Sequence, residues 1–197
     1  MGFPSVLAAA RAWVAPRLQP GDAAIDATAG GGVDTLFLAE AVGARGTVFA
    51  FDIQPGALAL TAARLERAYA GRSDKPAVHL LLQSHDAMRE AIPQTLHGSV
   101  AAAMFNLGYL PGADTDKRII TTAASTLAAM EAALDLLRPD GAIAAVLYPG
   151  HAGGDSEAEA VLDWASGLPG ERAQSVCYRM LQKPGAPIAV GIVKRSR

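Results

Sequence analysis

Residues 25–41, IDATAGGGVDTLFLAEA, run from an apolar stretch through Asp26 and three consecutive glycines, Gly30, Gly31 and Gly32, into a helical pattern. Glycine is needed where a backbone takes positive φ or admits a ligand without a Cβ, and a strand-to-helix turn aims amides and a helix N-terminus at that ligand. Asp52 closes the next apolar run, about 20 residues on, where a carboxylate can accept hydrogen bonds from both hydroxyls of a ribose. Loop and carboxylate together point to a nucleoside-containing cofactor. Thr35 stands where a dinucleotide fingerprint wants a small residue, and Asp26 ahead of the glycines would repel a pyrophosphate. The same acidic residue suits the cationic methionine end of S-adenosylmethionine, directly or through water. A P-loop is excluded because no Gly-Lys-Ser/Thr follows.

Three further clusters follow apolar runs. Ser84-His85-Asp86 offers side chains that either contact an adenine or cap the next short helix. In MFNLGYLPG (104–112), Asn106-Leu107-Gly108-Tyr109 resembles the (N/D)-P-P-(Y/F/W) arrangement of methyltransferases acting on amine nitrogens, without its prolines. A turn there can aim the Asn106 oxygen and a main-chain carbonyl at an amine's N–H groups, while Tyr109 packs on the substrate. In YPGHAGG (148–154), His151 could take a proton near neutrality, and is equally a turn residue or substrate contact. Asn106, Tyr109 and His151 are the catalytic candidates. His79, His97 and Cys177 have no companions at ligand spacing, so no metal site is expected.

The elements that must position these residues alternate. Strand-like runs at 23–27, 47–53, 77–83, 100–106 and 142–149 are separated by helical patterns near 33–42, 55–70, 87–91, 121–138 and 154–167. Pro55 and Thr122 or Ser125 are start signals, and Pro139-Asp140-Gly141 is a stop. Alternation implies right-handed crossovers and a parallel sheet covered on both faces, with ligands beyond the carboxyl ends of its strands. The runs 175–182 and 187–194 are joined by too short a link for a crossover helix and should pair antiparallel. Residues 4–17 carry apolar positions at helical spacing, predicting an entry helix within 1–20 that packs on the sheet. The expected fold is α/β, Rossmann-like, with a mostly parallel seven-stranded sheet, an antiparallel C-terminal hairpin and helices on both faces.

The 197 residues, 51% of them hydrophobic, suffice for one core, so 1–197 is read as a single domain. With 17 Lys and Arg against 19 Asp and Glu, the chain has no overall basic field, and any nucleic-acid contact must be local. One cysteine, interrupted N-terminal alanines and the lack of a long apolar run predict a cytoplasmic protein without membrane association.

Asp26-Ala27-Thr28-Ala29-Gly30-Gly31-Gly32 with Asp34-Thr35, then FDIQ (51–54), SHD, MFNLGYLPG and YPGHAGG, in this order, resemble the small bacterial rRNA methylase family of class I S-adenosylmethionine-dependent methyltransferases. The resemblance covers nearly the whole chain. It implies S-adenosylmethionine as cofactor, held by Gly30, Gly32, Asp34, Asp52, Gln54, Ser84 and His85, in addition to Asp26 above. It also implies N-methylation of 5-aminomethyl-2-thiouridine at the tRNA wobble position, which agrees with an amine acceptor at Asn106. Gly31 stands where many members have asparagine, and Thr28 replaces the first glycine of the general class I pattern. The anticodon loop of tRNA as partner requires only a splayed base and a few phosphate contacts. Substrate-binding candidates are Gly108, Lys117 and Arg118, with Arg11, Arg17, Lys194, Arg195 and Arg197 as further cations and a homodimer as a way to double them. The alternatives are methylation of rRNA or of a small-molecule amine or hydroxyl, and a non-catalytic cofactor-binding module.

Overall fold

The computed structural model describes residues 2–108, 121–150, 153–183 and 185–196. Among them seven strands form one sheet: β1 (Ala23–Asp26), β2 (Thr47–Asp52), β3 (Ala77–Leu82), β4 (Val100–Leu107), β5 (Leu137–Leu147), β6 (Ala173–Arg179) and β7 (Ile188–Lys194). Their order is β3-β2-β1-β4-β5-β7-β6. The pairings from β3 across to β5 are parallel, and β7 runs antiparallel to both β5 and β6. The strand order reverses between β1 and β4, which is where a crevice opens above the carboxyl ends of an open α/β sheet.

The helices begin where the sequence signals them. Ser5 caps α1 (Val6–Val14) by accepting the Ala8 N–H at 3.2 Å, and Pro55 opens α3 (Pro55–Ala68). Gly32, at φ 75°, caps α2 (Val33–Val42), and Thr122 accepts the Ser125 N–H to cap α5 (Ala123–Leu136). The remaining helices are α4 (Met88–Ala91) and α6 (Gly154–Gly167). Alternation along each strand divides the core in two. Ala103, Phe105 and Leu107 of β4 pack with α4, α5 and α6, while Ala102 and Met104 face α1, α2 and α3.

Several boundaries differ from the sequence reading: β6 spans 173–179 where 175–182 is expected, and β5 differs at both ends. The helix expected over 121–138 stops at Leu136, and β5 begins at Leu137, ahead of Pro139-Asp140-Gly141. Leu137 pairs with Val100, the register shifts, and pairing resumes at Ala142 with Ala102, so the Pro-Asp-Gly stop lies inside a bulged strand. A Cβ on Gly141 would lie 2.9 Å from the Arg138 carbonyl oxygen, which explains a glycine there. At its other end β5 stops at Leu147, leaving Tyr148 beyond the strand. Among the described residues no helix is long and apolar enough to cross a membrane.

The entry helix is seated by an aromatic. Trp13 of α1 lies over Gly191 in the middle of β7, where an added Cβ would come within 2.6 Å of the indole Cε3. Gly191→Ala should therefore force the ring off its seat at a cost of about 1–3 kcal/mol. Urea unfolding would show this as a lower midpoint with an unchanged slope; an unchanged midpoint would refute the packing account.

Candidate active site

The glycine loop is shaped by the protein on every side. Gly30 and Gly32 take φ of 53° and 75°, and a Cβ on Gly32 would lie 2.8 Å from the Thr61 Cα of α3. Thr61 donates to the Gly30 carbonyl at 3.1 Å, and Arg64 Nε donates to the Gly31 carbonyl at 2.5 Å. The loop amides are used internally as well: Gly30 N–H donates to Asp52 Oδ2 at 2.9 Å and Gly32 N–H to the Ala29 carbonyl at 2.8 Å. These two glycine amides are therefore not aimed at a ligand, and the glycines serve conformation and close helix packing. Asp52 also accepts the Gln54 N–H on Oδ1 at 2.9 Å, so each carboxylate oxygen is fixed by one amide and keeps a second lone pair toward the cavity.

Asp26 departs from its expected place. It is 1% exposed and lies outside the cavity lining, accepting the Thr35 hydroxyl at 2.6 Å and the Thr28 N–H at 3.1 Å. A direct contact with a cofactor is therefore replaced by an internal brace, because the side chain turns beneath the loop. Burial, then the nearby Asp34 carboxylate, push its pKa up to about 7.

What Asp26 braces matters. Thr28, which stands in place of the usual first glycine, accepts the Asn106 main-chain N–H on its hydroxyl at 2.7 Å, tying the end of β1 to the end of β4. A Cβ on Gly108 would lie 3.1 Å from the Tyr148 Cδ2, so the ring packs against the main chain just past β4. Burial and the Asp34 charge raise the Tyr148 pKa, keeping it a neutral phenol. Asp34 is paired with Arg11 of α1, whose Nε and Nη2 donate to Oδ1 at 2.9 and 2.7 Å.

Thr28, Gly30, Asp34, Asp52, Gln54, Ser84, His85, Asn106, Gly108 and Tyr148 line one cavity of about 560 Å³. His85 is 7% exposed, and burial holds its pKa below the usual value. Its Nε2 is buried with no partner among the described residues. Thr121 and Ser125 complete the wall beside α5, with Thr121 donating to the buried Glu157 at 2.8 Å. Sequence reasoning missed Tyr148 and the exposed Ile53 and Val33 of the lining. Ile53 had a signal, an apolar residue just past the carboxylate; Tyr148 had one in YPGHAGG, overshadowed by the histidine.

Tyr109, Lys117, Arg118 and His151 lie outside the described residues. Of the other expected RNA-facing cations, Arg11 holds Asp34, Arg17 donates to the Trp13 and Asp140 carbonyls, and Lys194 Nζ donates to those of Asp135 and Leu137. Among the described residues no group of three or more His, Cys, Asp or Glu could hold a metal ion.

Residues 48–194 match the family model described as "Putative rRNA methylase". The chain belongs to this family. Its fold matches a "putative rRNA-methylase" from Clostridium thermocellum at 33% identity and a TM-score of 0.89, covering 98% of this chain and 100% of that one. A "putative methyltransferase" from Streptococcus mutans, solved in complex with SAH, matches at 31% identity and 0.83 over 98% and 99%. The Arabidopsis thaliana chloroplastic tRNA (mnm(5)s(2)U34)-methyltransferase is 41% identical over 183 residues, or 90% of this chain. The chain spans 65% of that relative's length. The sheet, with its reversed last strand, is that of class I S-adenosylmethionine-dependent methyltransferases, and this family member is one of them.

The cavity suits the cofactor chemically. The Asp52 carboxylate keeps lone pairs for a diol, the unpartnered His85 Nε2 can hydrogen-bond a base, and the loop offers an acidic, not a phosphate-binding, lining at Asp34. Because the folded state holds a proton on Asp26 that the unfolded chain releases above about pH 4, this carboxyl contributes stability at low pH that is lost as pH rises through about 7. Asp26→Asn mimics the protonated form and should flatten the stability profile between pH 4 and 7, measured by urea unfolding; an unaltered slope would refute the assignment.

Proposed function

We propose that this methyltransferase N-methylates the primary amine of 5-aminomethyl-(2-thio)uridine at the wobble position of tRNA, giving the 5-methylaminomethyl form. The reading is supported above all by one juxtaposition: the carboxylate of Asp52, braced by two amides, shares a cavity with Asn106 at the end of β4. A side-chain amide at that point offers an oxygen to the N–H groups of an amine. The 41% identical relative, named for the corresponding tRNA nucleoside, supports the acceptor. Working on tRNA, the protein would act in the cytoplasm.

In this reading Asp52 holds the ribose hydroxyls, Ser84 and His85 the adenine, and Asp34 with the loop the methionine end. S-adenosylmethionine, when bound, supplies an electrophilic methyl on a sulfonium. Asn106 orients the neutral amine so that its lone pair forms the N–C bond as the C–S bond breaks, the electron pair passing to sulfur. The proton leaving nitrogen goes to solvent or to His151, and Tyr109, Lys117 and Arg118 contact the nucleoside and its phosphates. Orientation matters more than a strong base, since the leaving group is already activated.

Nucleoside mass spectrometry tests the acceptor. Aminomethyl-bearing tRNA incubated with the protein should gain one methyl on the wobble nucleoside only with cofactor present. A gain on rRNA instead would favour the acceptor named in the family description, and no gain on any RNA would refute the reading. Asp52→Ala should weaken SAH binding by tenfold or more in calorimetry, two charge-assisted hydrogen bonds being lost. Asn106→Ala should mainly lower kcat; an equal loss of SAH affinity in both variants would contradict this division of roles.

A further inference from the structure

Asn106 stands on a stretch of β4 that is paired to a strand on one side only. Pairing with β5 continues through Asn106 and Leu107, opposite Val146 and Leu147, whereas pairing with β1 ends at Asp26 opposite Met104. The last main-chain bond between β1 and β4 runs from the Ala27 N–H to the Met104 carbonyl at 2.8 Å. In an unbroken parallel ladder the Asn106 N–H would come next and would donate to a main-chain carbonyl on the β1 side. It donates instead to the Thr28 hydroxyl, at 2.7 Å. A side chain thus supplies the rung where the chain leaves β1 for the glycine loop. A glycine at position 28, as in the general class I pattern, has no side chain to supply it.

Thr28 is itself held. Its N–H donates to Asp26 Oδ1 at 3.1 Å, and Asp26 Oδ2 accepts the Thr35 hydroxyl of α2 at 2.6 Å. The next two residues are tied to β2, Ala29 by its N–H to the Phe51 carbonyl at 2.8 Å and Gly30 by its N–H to Asp52 Oδ2 at 2.9 Å. Three consecutive residues therefore fasten one loop to both neighbouring strands, and Asp26 secures it to α2. These bonds fix where the main chain of Asn106 stands relative to Asp52, and with it how far the Asn106 side chain reaches into the cavity that both residues line. We infer that Thr28 is a positioning residue: its hydroxyl couples the glycine loop to Asn106, so that a cofactor which orders the loop also sets the acceptor side at its working distance. The inference rests on the reading of Asn106 as the group that meets the amine, and extends it to a residue outside the Asn106–Tyr109 motif.

Two substitutions separate the hydroxyl from the shape of the side chain: Thr28→Val keeps the shape and removes the acceptor, and Thr28→Ser keeps the acceptor. Amide hydrogen exchange followed by NMR on the full chain, with and without SAH, reads the tie without any RNA. In wild type and Thr28→Ser the Asn106 N–H should exchange slowly, and more slowly still when SAH binds. In Thr28→Val it should exchange roughly tenfold faster or more, and SAH should no longer slow it. With aminomethyl-bearing tRNA, Thr28→Val should lower kcat roughly ten- to hundredfold while SAH affinity in calorimetry stays within about threefold of wild type, and Thr28→Ser should recover most of the rate. Four results would overturn the inference: Asn106 exchange in Thr28→Val that matches wild type, an equal slowing by SAH in both, a kcat loss that serine does not rescue, or an SAH affinity that falls as far as kcat. Failure of the wild type to methylate aminomethyl tRNA would instead sink the proposed substrate, and the exchange rates would still decide whether Thr28 couples the loop to Asn106.

Discussion

The hydroxyl of Thr28 is the point on which the site turns. A parallel sheet fixes the spacing of its strands but leaves each carboxyl-terminal loop to find its own conformation, and the crevice between β1 and β4 has no ladder bonds above it. Here the Thr28 side chain accepts the Asn106 amide while the Thr28 amide donates to the buried Asp26, so one residue spans the switch point. The Gly30 amide makes the matching link to Asp52 on the other side. The residues proposed to hold the cofactor and those proposed to face the acceptor are thereby referenced to the same few atoms.

Much of this was legible in the chain. Short apolar runs with turn residues between them marked all seven strands, most plainly the central ones that are buried on both faces. The reversed hairpin followed from a link too short for a crossover. Less legible were features set by a distant partner. Asp26 reads as a ligand contact, and only the fold turns it under the loop toward Thr35. Pro139-Asp140-Gly141 reads as a break between elements, whereas pairing of Leu137 with Val100 extends the strand around it. Tyr148, just past β5, stands out as a site residue through Gly108, whose missing side chain leaves room for the ring.

Charge behaves in the same way. The sequence counts Arg11, Arg17 and Lys194 as surface cations, yet each donates to a carboxylate or to main-chain carbonyls of its own chain. Such groups stabilise the junctions of α1 with α2 and of the α5–β5 boundary with the chain beside it, and their charge reaches a polyanion only after these contacts are counted.

The antiparallel β7 has a consequence beyond sheet order. Ile188 pairs with Leu147 and Arg179, so the segment joining β6 to β7 emerges at the same rim as the cavity, and Gly185 reaches the neighbourhood of Gly150. A crossover in its place would have carried a helix away from that rim. The reversal instead leaves a hairpin connection at that rim, joined to the sheet at both ends by paired strands. Lineages can lengthen, shorten or recharge that connection without disturbing the core, which makes it the natural place for members of one family to diverge in the substrates they admit.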